Sequence, residues 1–369
     1  MIDFFEKASA AVAALRPYQP GKPIDELERE YGVTNIIKLA SNENPFGPSR
    51  HAMKAMKASL DSIWLYPDGN GFKLKESLAR KHSVDTAQIT LGNGSSDPLA
   101  FILGALVQPG DEVLYSDHSF AIYPLITQAI GGVGVSAPAR DWGYDLDAIL
   151  ERINDRTKVI FIANPNNPTG TWLDKNSLLA FMQHVPEEVV VVLDEAYYEY
   201  AVDLAGDAFP ETIPWIEQFP NLMVTRTFSK AFALAGARVG YAISNPQIAD
   251  LMNRIRPPFN VNSIALAGAE AALTDVEHLM ESVVMNTVGM GQLEKGVKAL
   301  GLDYIPSIGN FISIDFGQPA EFVYESLLRH GVIVRPVANY GMPNHLRITV
   351  GRPEDNLRLL EGIELALNK

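Results

Sequence analysis

Lys230 stands in the run Arg226-Thr227-Phe228-Ser229-Lys230-Ala231-Phe232-Ala233-Leu234-Ala235-Gly236-Ala237-Arg238, surrounded by small and apolar residues. Hydroxyls precede it by one and three positions, and an arginine follows eight positions later. Desolvation and nearby cations both favour the neutral amine, the form that makes an imine with a carbonyl; a lysine in an open loop would simply be a solvated charge. Asp194-Glu195-Ala196-Tyr197-Tyr198 follows the apolar run Val189–Leu193. A carboxylate at the end of a buried strand is costly without a cation, so a partner is implied unless Asp194 caps a helix.

Two further segments have the same character. In Asn164-Pro165-Asn166-Asn167-Pro168-Thr169-Gly170 the prolines end a ladder and the turn holds a side-chain amide where it can donate; a plain turn has the same composition. Leu91-Gly92-Asn93-Gly94-Ser95-Ser96-Asp97 is a glycine turn leading into a helical pattern. Its free N–H groups and hydroxyls suit an anion such as phosphate, and they also suit an ordinary helix cap. It is not a dinucleotide fingerprint, because the third glycine is absent. The Asp-Glu after an apolar strand is like the acidic box of a P-loop ATPase, but the chain contains no Gly-x-x-x-x-Gly-Lys-Ser/Thr run.

These segments need a scaffold that brings strand ends together. β-branched runs at 112–115, 133–137, 158–163, 189–193, 222–225 and 239–243 alternate with helical patterns. Alternation of this kind predicts an α/β layer with a mostly parallel sheet buried on both faces, and ligands of such sheets gather at the carboxyl ends of the strands. After Pro257-Pro258 the pattern changes. Residues 262 to about 300 read as one long helix, followed by strands at 311–314, 332–335 and 346–349 and a final helix from Pro353. The expected division is an arm and small-domain contribution at 1–45, a large cofactor-binding domain at 46–256 and a small α+β domain at 257–369.

The chain has 369 residues, enough for two domains with a sizeable core. Lys plus Arg number 30 against 44 Asp plus Glu, a formal charge of −14 that repels nucleic acid and anionic membranes. In such a field the few arginines aimed at one place become informative. With no cysteine, thiolate chemistry and Cys-based metal sites are excluded, and no metal is expected. No signal peptide or membrane span is visible, so the expected location is the cytoplasm.

An anion cradle, an amide donor, a buried acid and a poised amine are the parts that pyridoxal phosphate requires. The chain resembles the fold-type-I pyridoxal-phosphate aminotransferases, and among them the histidinol-phosphate aminotransferases. The resemblance spans nearly the whole length. It includes Arg16-Pro17-Tyr18, Leu39-Ala40-Ser41-Asn42-Glu43-Asn44-Pro45, Tyr66-Pro67-Asp68-Gly69, Val334-Arg335-Pro336 and Leu346-Arg347-Ile348-Thr349-Val350-Gly351.

The resemblance implies the fold named above and a set of roles. Lys230 would hold the cofactor covalently and then shuttle a proton. Asp194 would pair with the ring nitrogen, Asn167 and Tyr197 would bond the phenolic oxygen, and Phe120 would stack on the ring. Gly94, Ser95, Ser96, Thr227, Ser229 and Arg238 would hold the phosphate, with Tyr66 reaching in from the partner of a homodimer. Arg347, Arg335, Tyr18 and Asn44 would meet the substrates, an amino donor and 2-oxoglutarate. Many relatives have tyrosine where Phe120 stands, and Ser-Asp-Glu where this chain has Ser95-Ser96-Asp97. An aromatic amino-acid aminotransferase fits the same arginine and flat ring; a decarboxylase or a non-catalytic module on this fold are the remaining alternatives.

Overall fold

Aliphatic runs without polar alternation can leave neither face in water. In the computed structural model, which describes residues 2–368, they pair into one seven-stranded sheet. Its order is Ile89–Gly92, Gly240–Ser244, Leu222–Thr227, Val190–Asp194, Thr157–Ala163, Glu112–Ser116 and Val133–Ala137. Gly240–Ser244 is antiparallel to both neighbours, and the pairings from Leu222–Thr227 out to Val133–Ala137 are parallel. Successive residues enter different cores. Ile160, Ile162, Val191 and Leu193 pack with Leu178 and Phe181; Val159, Phe161, Val190 and Val192 pack with Leu99, Ile102 and Met252.

This topology decides where chemistry can occur. The carboxyl ends of Ile89–Gly92, Thr157–Ala163, Val190–Asp194 and Leu222–Thr227 share one edge of the sheet. The reversed strand begins at that edge, since Gly240 lies opposite Gly92 and Thr227. Arg238 is delivered there for the same reason.

The second sheet is antiparallel and four-stranded, in the order Asp303–Ile305, Phe311–Asp315, His345–Thr349, Arg335–Pro336. Ile312, Ile314, Leu346 and Ile348 pack against Leu293, Val297, Leu359 and Ile363. Two expectations are corrected. The long helix is two, Ser263–Thr274 and Val276–Ala299, because Asp275 leaves helical geometry and its side chain accepts from the His278 N–H. The 332–335 strand is divided: Val332–Ile333 pairs in parallel with Ile37–Lys38, and Arg335–Pro336 turns to His345–Thr349.

Candidate active site

A cavity of about 200 Å³ opens at the shared edge. Ser95, Ser96, Phe120, Asn167, Asp194, Tyr197, Thr227, Ser229, Lys230 and Arg238 all line it, with Tyr18, Arg335 and Arg347. Lys230 lies just beyond the Leu222–Thr227 strand, in a loop closed by Leu234 N–H to the Phe228 carbonyl at 2.9 Å and Ala233 N–H to the Lys230 carbonyl at 2.8 Å. Phe228 and Leu234 anchor the loop in the core. The Lys230 amine donates to the Ser41 carbonyl at 3.0 Å. Burial, assisted by Arg347 and Arg238, pushes it down from 10.5 to about 7 against the pull of Glu43 and Asp194. A poised amine, rather than a solvated charge, is what this environment produces.

Asp194 is the last residue of its strand and is buried. It accepts from the Tyr123 hydroxyl at 3.0 Å and the Thr225 hydroxyl at 3.1 Å. Burial raises its pKa, and those two hydrogen bonds hold it back. It does not cap the next helix, whose N-cap is Tyr197. The implied cation goes to the next residue: Arg226 pairs with Glu195 at 2.8 Å. Among the described residues no basic side chain forms an ion pair with Asp194, so the cavity keeps an acid whose cation must come from a ligand.

Asn167 and Tyr197 are oriented by bonds that use the other half of each group. Asn167 Oδ1 accepts from Arg347, leaving its amide N–H free. The Tyr197 oxygen accepts from Asn42 Nδ2 at 2.9 Å, leaving its own proton free to donate. Burial raises Tyr197 to about 12, so the phenol stays protonated. Phe120 meets Tyr123 edge to face, with ring centroids 5.8 Å apart.

The hydroxyl and guanidinium cluster is tightly assembled. Arg238 donates to the Ser229 hydroxyl at 3.2 Å, and the Thr227 hydroxyl accepts from the Ser229 N–H at 3.1 Å. The Ser96–Leu106 helix starts beside them, with Ser95 as N-cap. Gly94 sits at φ +82°, and a Cβ there would collide with the Arg238 guanidinium. Gly240 likewise has room only for hydrogen, because the Ser95 N–H lies against it.

Arg335 and Arg347 are direct cross-strand partners and therefore share a face. Like charges opposite one another on a sheet are unfavourable until an anion joins them. Arg347 donates to the Ala40 carbonyl at 2.6 Å, while its buried Nε finds no partner among the described residues. Arg335 donates to the Gln19 carbonyl at 2.8 Å and lies 5.6 Å from the Tyr18 ring centre.

Three expected members stand outside the cavity lining. Gly94 acts through the space it leaves for Arg238. Asn44 donates to the Ala231 carbonyl at 2.9 Å, bracing the loop after Lys230. Tyr66 is 82% exposed, stacked on Phe259. Sequence reasoning missed Tyr123, Thr225, Asn42 and the Ser41 carbonyl. Tyr123 lies in an apolar helix and reads as core; Thr225 could have been found, since it stands two residues before Thr227 on the same strand face.

The residues present fit a phosphorylated pyridine aldehyde. They offer an amine for the aldehyde, an acid without its own cation for the ring nitrogen, free donors for the phenolic oxygen, and hydroxyls with a guanidinium for the phosphate.

A family model for class I and II aminotransferases matches residues 34–363. A histidinol-phosphate aminotransferase of Nitrosococcus oceani is 54% identical over 366 residues, covering 99% of this chain and 98% of that protein. One from Pseudomonas aeruginosa is 53% identical over 365 residues, 98% of each. Among solved structures, the histidinol-phosphate aminotransferase of Sinorhizobium meliloti in complex with pyridoxal 5′-phosphate superposes with a TM-score of 0.89 at 30% identity, covering 98% of both chains. The aspartate aminotransferase of Thermus thermophilus with maleate gives 0.84 at 25% identity, covering 97% of this chain and 99% of that one.

Proposed function

The chain belongs to the class I and II aminotransferase family, and from that premise we propose that it transfers an amino group from L-histidinol phosphate to 2-oxoglutarate. The products are imidazole acetol phosphate and L-glutamate, a step of histidine biosynthesis. The cofactor is pyridoxal 5′-phosphate. The observation that carries the reading is the buried Asp194, without a basic side chain of its own, in one cavity with the depressed amine of Lys230.

Bound pyridoxal phosphate supplies an aldehyde that takes up the amino group and a ring that spreads the charge left when the donor's α-proton departs. The protein's part is to hold, orient and move protons. Asp194, fixed by Tyr123 and Thr225, holds a protonated ring nitrogen. The free Asn167 amide and the Tyr197 hydroxyl would donate to the phenolic oxygen, and Phe120 would offer its face to the ring. Ser95, Ser96, Thr227, Ser229 and Arg238 hold the phosphate. Lys230 Nζ, pushed down to about 7 so that about half of it is unprotonated at neutral pH, would anchor the cofactor at its aldehyde and would serve as the base for the donor's α-proton. Arg347 and Arg335 grip the anionic end of donor and acceptor in turn, and Tyr18 closes over the donor's ring.

Residues 46–256 are assigned to the large cofactor-binding domain, 257–369 to a smaller domain and 1–45 to an arm and a small-domain contribution. The seven strands at 89–244 and the four at 303–349 support two units, and the pairing of Ile37–Lys38 with Val332–Ile333 supports the small-domain contribution, whereas Val261, Ala265, Ala269 and Ala272 pack in the large-sheet core and carry the boundary past the Ser263–Thr274 helix. A homodimer is part of the proposal. Trp64 and Tyr66 are 79% and 82% exposed, and Ile63, Leu65 and Phe72 are exposed beside them, an apolar stretch suited to a second copy. Cytoplasmic location is proposed from the reaction; among the described residues no helix is long and apolar enough to cross a membrane.

The deciding experiment is steady-state kcat/KM of the holoenzyme with L-histidinol phosphate, phenylalanine, tyrosine and aspartate, each with 2-oxoglutarate. A preference for histidinol phosphate of about 100-fold or more is expected from one well-placed anion contact. A ratio near one against phenylalanine would make the protein an aromatic amino-acid aminotransferase instead.

A further inference from the structure

The turn carrying Gly94, Ser95 and Ser96 is held from outside. Asp97 Oδ2 accepts from the Asn93 N–H at 2.9 Å, and the same oxygen accepts from Asn260 Nδ2 at 3.0 Å. Asn260 Oδ1 accepts from Arg256 Nη1 at 2.8 Å, and Nη1 also donates to the Gly69 carbonyl at 2.9 Å. Gly69 belongs to the loop of Tyr66, whose ring stacks on Phe259 with centroids 4.8 Å apart. A Cβ on Gly69 would stand 3.3 Å from the Phe259 ring. Phe259 itself is held at φ +57°, a costly conformation for a residue with a ring, immediately before Asn260.

The links therefore run without a gap from the Gly94 turn to the Tyr66 loop, through three half-buried side chains. Their charges make sense of Asp97. A carboxylate one residue beyond Ser96 would oppose a phosphate in that turn, and Arg256, reached through Asn260, supplies the balancing cation.

We propose that Asp97, Asn260 and Arg256 are positioning residues for the cofactor's phosphate at two sites. Through Asp97 they shape the turn of their own subunit, and through Gly69 they set the loop from which Tyr66 reaches the partner's site. This rests on the dimeric aminotransferase reading given above. It also assigns a use to the departure from Ser-Asp-Glu at this turn: Asp97 faces the strut and not the ligand.

The test uses the full-length apoprotein and two ligands, pyridoxal phosphate and pyridoxal, with affinities read from quenching of intrinsic fluorescence and assembly from sedimentation. Asn260→Ala should weaken pyridoxal phosphate about tenfold while pyridoxal changes less than about twofold, as expected for loss of one charge-assisted bond at the phosphate end. Arg256→Met cuts the strut at the other end and should do the same. Combined with Tyr66→Phe, either loss should be less than additive, because both act through one loop. Equal weakening of both ligands, unchanged affinity in both strut variants, or strict additivity in a dimer would overturn this proposal alone. A monomeric wild type would overturn the dimer reading and this proposal together.

Discussion

The two ends of the cavity are built on opposite plans. At the large-sheet edge the acid, the phosphate-side arginine and the loop of the amine are fixed by close neighbours: Asp194 by Thr225 across the sheet, Arg238 by Ser229, and the Lys230 backbone by a closed loop. At the small-sheet edge Arg335 and Arg347 stand opposite one another in the register and both line the cavity, and Arg335 leans on the carbonyl of Gln19 in the N-terminal segment. The first end is assembled without substrate, whereas the second sets two like charges at one cavity, which an anion would balance. Chemistry common to a family can thus sit on the rigid sheet, while recognition sits where separate parts of the chain meet.

The contrast can be broken most sharply at Lys230. Lys230→Ala should lower kcat/KM by about 10⁴-fold or more, since both the covalent anchor and the proton carrier are lost. The visible cofactor colour should disappear on dialysis against an amine. A colourless wild type after reconstitution would break the rigid end of the comparison outright.

A second test sets Lys230 against Lys22, which Glu26 and Glu30 hold charged and whose pKa they raise. In the apoprotein, labelling with an amine-selective reagent should rise at Lys230 with a midpoint near 7. At pH 8 it should exceed that of an ordinary lysine roughly 100-fold, while Lys22 stays unreactive. The linkage has a definite sign: above about 7 and up to 10.5 the unfolded chain binds the extra proton, so apoprotein stability rises with pH across that window. A midpoint near 10 would mean that burial does not set this amine.

At the recognition end, Arg347→Ala should raise KM for both donor and 2-oxoglutarate about 10- to 100-fold while cofactor remains bound. Some loss of kcat should accompany it, because Arg347 also orients Asn167. Unchanged KM for both substrates would remove Arg347 from the anion site. The smallest effect is expected at Phe120→Tyr, which keeps the stacking face; kcat should move by less than about threefold.

The sequence made the rigid end legible and the other end much less so. Lys230, Asp194, Asn167 and the Gly94 turn could be singled out because each follows a recognisable strand, and parallel strands share their carboxyl edge. The cross-strand meeting of Arg335 and Arg347 depends on register across 11 intervening positions, which no local pattern encodes. Tyr123 and Asn42 were hidden because their partners lie 71 and 155 residues away. Ser41 contributes a backbone carbonyl, and that atom is the same whatever the residue type. The break at Asp275 was missed because helical periodicity continues on both sides of a single non-helical residue.

The paired guanidinium groups also bear on how the protein behaves in ordinary laboratory buffers. Inorganic phosphate or sulfate offers the same tetrahedral charge as a phosphorylated donor, and would lodge between Arg335 and Arg347 wherever it is abundant. Measurements made in such media would understate the grip on true substrates, whereas chloride or amine buffers would leave the groove free.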